Sequence, residues 1–154
     1  MSKMDELNGS RMLRRCIAAG ISVVLGMASS VVLAGPEAPA LRAAIHDGAK
    51  LFAAPSLGSN GRSCQSCHLN GGKGAGILPN GKRIPSLRNA AAIFPRYSGK
   101  AGKVRTMTMQ VNHCIQGGLG GMPLDYDSSK MVALDSYLNS LATGEPIHMG
   151  AKPK

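Results

Sequence analysis

The segment Cys64-Gln65-Ser66-Cys67-His68 constrains this 154-residue chain more than any other feature, because it places two thiols and an imidazole within five residues. Two cysteines separated by two residues and followed by histidine form the pattern that accepts a c-type haem. In that chemistry the thiols of Cys64 and Cys67 add to the two vinyl groups of the haem, and His68 supplies the proximal iron ligand. The pattern therefore predicts one covalently attached haem c.

Two other uses of a Cys-x-x-Cys pair fit this sequence less well. A thioredoxin-like redox pair lies where a buried strand enters a helix, but the residues that flank 64–67 are rich in glycine. A structural zinc site needs a second pair of ligands at finger-like spacing, and only Cys114 and scattered histidines are available for it.

The first 34 residues predict an export signal rather than part of the folded domain. Three arginines precede a long uncharged and mostly apolar run, which ends with a small-residue cleavage pattern before Gly35. An uncleaved membrane anchor is the alternative, because this run nearly spans a bilayer. We expect a signal peptide over 1–34, a cytochrome c domain over 35–154, a periplasmic location, and membrane contact only through the signal segment if it is uncleaved.

The composition of the expected domain bears on both its interior and its surface. The chain has no Trp, two Phe and three Tyr, so its side chains supply little of the aromatic bulk that normally fills a core, and a haem would supply it. Residues 35–154 carry 14 Lys and Arg against six Asp and Glu, a net charge of +8. This charge favours docking to an acidic redox partner protein. Nucleic acid is not an expected partner, because the chain has an export signal and no nucleic-acid motif.

Apolar periodicity predicts three helices joined by long glycine-rich segments. The helices cover about residues 38–53, 101–116 and 128–142. The second is expected to end at Gly117-Gly118. Residues 70–90 carry repeated glycine and proline, and are expected to form irregular chain along one edge of the haem. Arg83 and Arg88 in this segment are candidates to pair with the haem propionates.

The first and last predicted helices resemble the crossing helix pair of small class I cytochromes c. Gly48 and Phe52 stand four residues apart on the first helix, and Leu134 and Tyr137 form the apolar-aromatic pair on the last. A glycine at the crossing lets the two backbones approach closely. The resemblance implies an all-α, class I cytochrome c-like fold, with three main helices wrapped around one covalently bound haem.

The second axial place on a haem iron has several candidate ligands in this sequence. They are Met122, Cys114, His113 and Met107. Spacing favours Met122, which follows Gly120-Gly121 in a loop before the last helix. The helical wheel of the second predicted helix turns Cys114 inward and His113 outward. A small buried core cysteine is the other interpretation of Cys114.

Four stretches in order resemble the N-terminal haem domain of thiosulfate dehydrogenases, which are relatives of the haem subunit of the thiosulfate-oxidising complex. The stretches are 67–72, 94–97 with 102–107, 111–114 with 121–124, and 127–146. In that family the active-site haem is bound by a histidine and a cysteine thiolate, and this cysteine aligns with Cys114. The resemblance therefore implies Cys114 as the distal iron ligand, with Met122 as the alternative. A thiolate lowers the reduction potential relative to methionine.

This chain departs from the family in two respects. The family enzymes usually carry a second haem domain, whereas this sequence has one Cys-x-x-Cys-His pattern. They also have a basic residue shortly after the ligand cysteine, where this chain has Ile115-Gln116-Gly117-Gly118. We therefore expect a periplasmic monohaem cytochrome that transfers single electrons in thiosulfate oxidation, with another cytochrome subunit as a further candidate partner. The alternative is the catalytic haem subunit of a thiosulfate dehydrogenase that forms tetrathionate.

Overall fold

The computed structural model describes residues 37–78 and 80–154, and the predicted signal peptide over 1–34 lies outside the described residues. The main elements are α1 (Glu37–Ala53), β1 (Gly76–Ile77), β2 (Arg83–Ile84), α2 (Ala90–Ile93), β3 (Arg96–Ser98), β4 (Lys103–Arg105), α3 (Met107–Leu119) and α4 (Ser129–Leu141). Two short 3-10 turns, Pro55–Leu57 and Cys64–Ser66, lie between α1 and β1. In this part of the chain no helix is both long and apolar enough to cross a membrane.

Helices α1 and α4 form the main packing contact of the domain, and their predicted bounds are confirmed to within one residue. Gly48 is buried at the crossing, where a Cβ atom would overlap the backbone carbonyl of Ala133. One turn later the Phe52 ring packs at a tilt against Tyr137, with 5.4 Å between ring centroids. Leu134 is 1% exposed beneath them. The predicted crossing of the first and last helices is therefore present.

Helix α3 begins and ends later than the sequence predicted. The prediction of a helix over 101–116 is wrong at both ends, because β3 and β4 form an antiparallel hairpin that uses residues up to Arg105. Thr106 then caps the helix, its hydroxyl accepting a hydrogen bond from the backbone N–H of Met109 at 3.2 Å. The helix continues through the two glycines expected to stop it. It ends at Gly120, which adopts the left-handed conformation with φ of 66°.

The hydrophobic core lies where α3 packs beside the crossing of α1 and α4. Its buried members are Phe52, Leu57, Ile115, Leu119, Leu134 and Leu138. Cys64 and Tyr137 are partly buried against this cluster, so the core adjoins the Cys-x-x-Cys-His segment. The hydrophobic core that stabilises the fold is thus in contact with the Cys-x-x-Cys-His segment.

The chain between α1 and α3 is largely irregular, as the glycines and prolines predicted. Among the described residues of this stretch, regular structure consists of the two 3-10 turns, α2, the β3–β4 hairpin, and two-residue strands β1 and β2, in which Gly76 pairs with Ile84 and Ile77 with Arg83. The helices supply the core, and the hairpins are small additions to an all-α framework.

The C-terminal segment folds back across the chain around α2. The backbone N–H groups of His148 and Gly150 donate to the carbonyls of Ala92 and Ile93. Nearby, the buried side chain of Asn89 donates to the carbonyl of Lys152 at 3.2 Å. Ser86 donates from both its N–H and its hydroxyl to the carbonyl of Lys154; these bonds fix the chain next to Pro85.

Candidate functional site

The Cys-x-x-Cys-His segment forms a single tight turn. The carbonyl of Cys64 accepts hydrogen bonds from the N–H groups of Cys67 and His68, at 3.2 and 3.0 Å. Ser66 closes the turn, because its hydroxyl accepts from the N–H of Ser63 at 3.0 Å. In the haem-attachment pattern residues 65 and 66 are only spacers, but Ser66 has this capping contact as well. Both thiols of the turn are half-buried and free.

The imidazole of His68 is oriented by the backbone. Its Nδ1 lies 3.3 Å from the carbonyl oxygen of Pro85. A carbonyl oxygen can only accept, so Nδ1 carries the proton and Nε2 keeps its lone pair for a metal. Burial lowers the pKa of His68 against the opposing effect of the Pro85 carbonyl, which favours the neutral imidazole that binds iron. The Phe52 ring lies alongside, 6.5 Å from His68 between centroids.

Strand β1 passes directly over the turn. A Cβ at Gly76 would overlap the carbonyl of Cys67, so only glycine allows this approach. A recess of about 250 Å³ opens beside Cys67 between the turn and this hairpin. Its lining residues are Arg62, Ser66, Cys67, Ile77 and Leu78.

Cys114 on α3 interacts electrostatically with the thiols of the turn. Burial, and then the charge of Cys114, raise the pKa of Cys64 to about 11. The pKa of Cys114 is also raised, mainly by desolvation, although the residue reaches solvent. A hydrogen bond from Gln110 opposes this rise, Cys67 adds to it, and Arg105 opposes it.

The exposure of Cys114 corrects one prediction made from the sequence. The wheel turned this residue toward the interior, but the structure leaves it exposed, and its neighbour Ile115 occupies the core at 1% exposure. The helix predicted over 101–116 included Val104, which lies in β4 instead. The interpretation of Cys114 as a buried core cysteine is therefore wrong.

The other predicted site residues lie in different surroundings. Met122 is 82% exposed, and His113 is exposed on α3. Met107 is partly buried against the hydrophobic core. Arg88 donates from Nε to the carbonyl of Lys73 at 3.0 Å, and the residue Arg83 is exposed in β2.

Three contributors to this site were not found from the sequence. Pro85 acts through its carbonyl, which no residue pattern reveals. Ser66 follows Ser63 at the spacing of a helix-capping pair, a signal that was available. Gln110 stands four residues before Cys114, a helical spacing that brings two side chains onto one face, and its Nε2 donates to Cys114 Sγ at 3.4 Å.

The donor set fits a covalently held haem. Two adjacent thiols on one turn match the two vinyl groups of the ring, and a neutral imidazole with a free Nε2 follows them directly. A third thiol, that of Cys114, lies on a separate helix and accepts a hydrogen bond from Gln110. Fold and residues together define a cytochrome c domain with a class I-like arrangement.

Comparison with known proteins identifies the family. Residues 47–147 match the family described as the SoxA/TsdA cytochrome c domain, and the chain belongs to this family. A thiosulfate dehydrogenase of Psychrobacter arcticus is 31% identical over 100 residues, covering 65% of this chain and 28% of the relative. The L-cysteine S-thiosulfotransferase subunit SoxA of Pseudaminobacter salicylatoxidans is 28% identical over 92 residues, covering 60% and 28%. The chain thus spans little more than a quarter of the length of these relatives.

Solved structures show the same fold. The thiosulfate dehydrogenase TsdBA from Marichromatium purpuratum superposes with a TM-score of 0.57 at 23% identity, covering 77% of this chain and 26% of that chain. SoxXA from P. pantotrophus superposes with a TM-score of 0.56 at 22% identity, covering 72% and 37%. The class I cytochrome c-like fold predicted from the sequence is therefore confirmed.

Proposed function

We propose that this protein is a periplasmic monohaem cytochrome c that transfers single electrons in the oxidation of thiosulfate. Cys64 and Cys67 would hold a haem covalently, and His68 and Cys114 would bind its iron. The family membership and the thiosulfate-related names of its relatives support the sulfur-oxidising context.

The observation that carries this proposal is the turn that presents two thiols and an oriented imidazole together. His68 is held by Pro85 directly after the two thiols of the turn, and the sulfur of Cys114 is oriented by Gln110. Cys114 is preferred to Met122, the alternative distal ligand, because its sulfur is oriented by a hydrogen bond from Gln110.

Each residue of the proposed site has a distinct task. The Pro85 carbonyl keeps the proton on Nδ1 of His68 and so keeps Nε2 available as a ligand. Two residues limit the space around the turn. Phe52 packs near His68, and Gly76 lets its own strand β1 pass close to the turn. A bound haem c supplies reversible one-electron chemistry, and a cysteine ligand sets its potential lower than a methionine ligand would.

A partner must take or supply the electron. The relatives named as SoxA and the SoxXA structure belong to proteins with subunits, so another cytochrome subunit is a proposed partner. The net charge of +8 over residues 35–154 favours an acidic docking surface on that partner, and association would slow as salt is raised.

A second candidate function is catalysis of the conversion of thiosulfate to tetrathionate at the same haem. The names of the thiosulfate dehydrogenase relatives favour it. Joining two thiosulfates releases two electrons, whereas one haem accepts one, so this function requires a second redox centre in the assembly.

The two functions are separated by measuring haem content and turnover on the same preparation. The chain is produced with a cytochrome c maturation system, and mass spectrometry and a redox titration are recorded. We expect one covalent haem and a one-electron transition, with both thioether bonds lost in a Cys64→Ala, Cys67→Ala variant. Sustained turnover of thiosulfate with an artificial acceptor would favour the enzyme, whereas reduction without turnover supports the carrier. A chain that acquires no covalent haem contradicts both.

A further inference from the structure

A chain of two hydrogen bonds leads from Arg105 to the sulfur of Cys114. Arg105 Nη1 donates to Gln110 Oε1 at 3.3 Å, and Gln110 Nε2 donates to Cys114 Sγ at 3.4 Å. Gln110 and Cys114 lie one helical turn apart on α3, which brings their side chains together. Arg105 comes from the end of β4, immediately before the helix cap, so two elements converge on one sulfur.

The two hydrogen bonds fix the orientation of the Gln110 amide. A side-chain amide has an oxygen that accepts and a nitrogen that donates, and either end can face a neighbour. A guanidinium can only donate, so the oxygen of Gln110 must face Arg105. The nitrogen is thereby directed at Cys114, whose sulfur accepts.

We propose that Gln110 is a positioning residue for the sulfur of Cys114 and that Arg105 holds Gln110 in its donating orientation. The inference rests on the proposed function, in which Cys114 binds the haem iron. A donor directed at a ligand thiolate withdraws electron density from it, and hydrogen bonds to ligand sulfur are one of the ways by which proteins set metal potentials. Gln110 therefore raises the reduction potential above that of the same ligand pair without the donor.

The test measures the reduction potential and the ferric low-spin resonance spectrum of the haem-loaded protein in a set of variants. Gln110→Met keeps the length of the side chain and removes the donor, and Gln110→Glu keeps its shape and presents only acceptors. Arg105→Gln tests the second link and keeps the proposal testable if a Gln110 variant fails to fold. Gln116→Met is the matched control, because Gln116 is an exposed glutamine on the same helix.

We expect both Gln110 variants to lower the equilibrium constant for one-electron reduction by about tenfold, a fall of about 59 mV. The Arg105 variant should move the potential in the same direction by less, and the Gln116 variant should leave it unchanged. A residue with a merely structural role would change the stability without moving the potential.

Three results would overturn the inference, and the third would also refute the ligand assignment on which it rests. If both Gln110 variants keep the wild-type potential and spectrum while Cys114→Ala alters the spectrum, the role of Gln110 is refuted and the ligand assignment stands. An equal shift in the Gln116 control shows that the effect is not specific to this contact. A Cys114→Ala spectrum identical to the wild type refutes the ligand assignment itself, and the proposed role of Gln110 is refuted with it.

Discussion

Replacing Gly48 by alanine tests the packing of the two helices that frame the site. An added Cβ would lie 2.7 Å from Tyr137 Cβ and would overlap the carbonyl of Ala133. Ordinary carbon contacts are about 3.5–4.0 Å, so α1 and α4 must separate by about 1 Å. The group that blocks the added Cβ is the backbone carbonyl of Ala133, which cannot rotate away as a flexible side chain would.

The free energies can be compared directly. Overpacking of this kind costs about 1–3 kcal/mol, and the obstructing backbone sets the cost at the upper end. Alanine is favoured over glycine inside a helix by about 1 kcal/mol. We therefore expect Gly48→Ala to lower the free energy of unfolding by about 2 kcal/mol, although the same substitution usually stabilises a helix.

The assay is urea unfolding of the haem-loaded protein, with Gly117→Ala as the control. Gly117 lies in α3, and a Cβ added there would meet nothing within 4 Å, so only helix propensity acts and this variant should gain about 0.5–1 kcal/mol. With a slope of about 2 kcal/mol/M, the Gly48 variant should unfold at about 1 M lower urea than the wild type. A Gly48 variant as stable as the wild type, beside a stabilised Gly117 variant, would refute the packing argument.

Three further substitutions have expected costs that the same unfolding assay checks. Asn112→Ala removes two hydrogen bonds to the backbone of Leu124, at 2.9 and 2.8 Å. It should lower the free energy of unfolding by about 2–3 kcal/mol, because both backbone partners are left partly buried, and a loss below about 0.5 kcal/mol would contradict this. Tyr137→Phe removes the 2.7 Å bond to the carbonyl of Gly71 while keeping the ring, and should cost about 1 kcal/mol; a neutral result would mean that water replaces the hydroxyl. Thr106→Ala removes the cap of α3 at a cost of about 1 kcal/mol, which Thr106→Ser should largely restore.

The first and last helices could be predicted from the sequence because their signals are local and consistent. Each has an apolar stripe at helical spacing, and Ser128 marks the start of α4 as a cap whose hydroxyl accepts from Met131 N–H at 3.3 Å. Gly48 and Tyr137 also marked their crossing, since a close approach requires a residue without a side chain at that position.

The start of α3 could not be placed by the same method. Val104 has the spacing of a helical apolar residue, but its pairing with Tyr97 across the β3–β4 hairpin places it in a strand. That pairing joins residues on either side of a turn, and an apolar stripe does not record it. The glycines at 117 and 118 were expected to end the helix, yet they have room within it, and the left-handed Gly120 ends it instead.

The candidate site also has a part that could be predicted from the sequence and a part that could not. Cys64, Cys67 and His68 are contiguous in the sequence, so the haem-attachment pattern could be recognised from the residues alone. The Pro85 carbonyl and Arg105 reach the site only through the folded chain, so no local pattern predicts their contacts. The resemblance implied Cys114 as a ligand, whereas the helical wheel described its surroundings wrongly.

Electron paramagnetic resonance of the ferric haem-loaded protein tests the central proposal, His68 and Cys114 as axial ligands, most directly. Wild type, Cys114→Ala and Met122→Ala are compared under one set of conditions. We predict a low-spin signal of a thiolate-bound haem in the wild type and in Met122→Ala, and its loss in Cys114→Ala. A signal that survives in Cys114→Ala and disappears in Met122→Ala would contradict the proposed ligation.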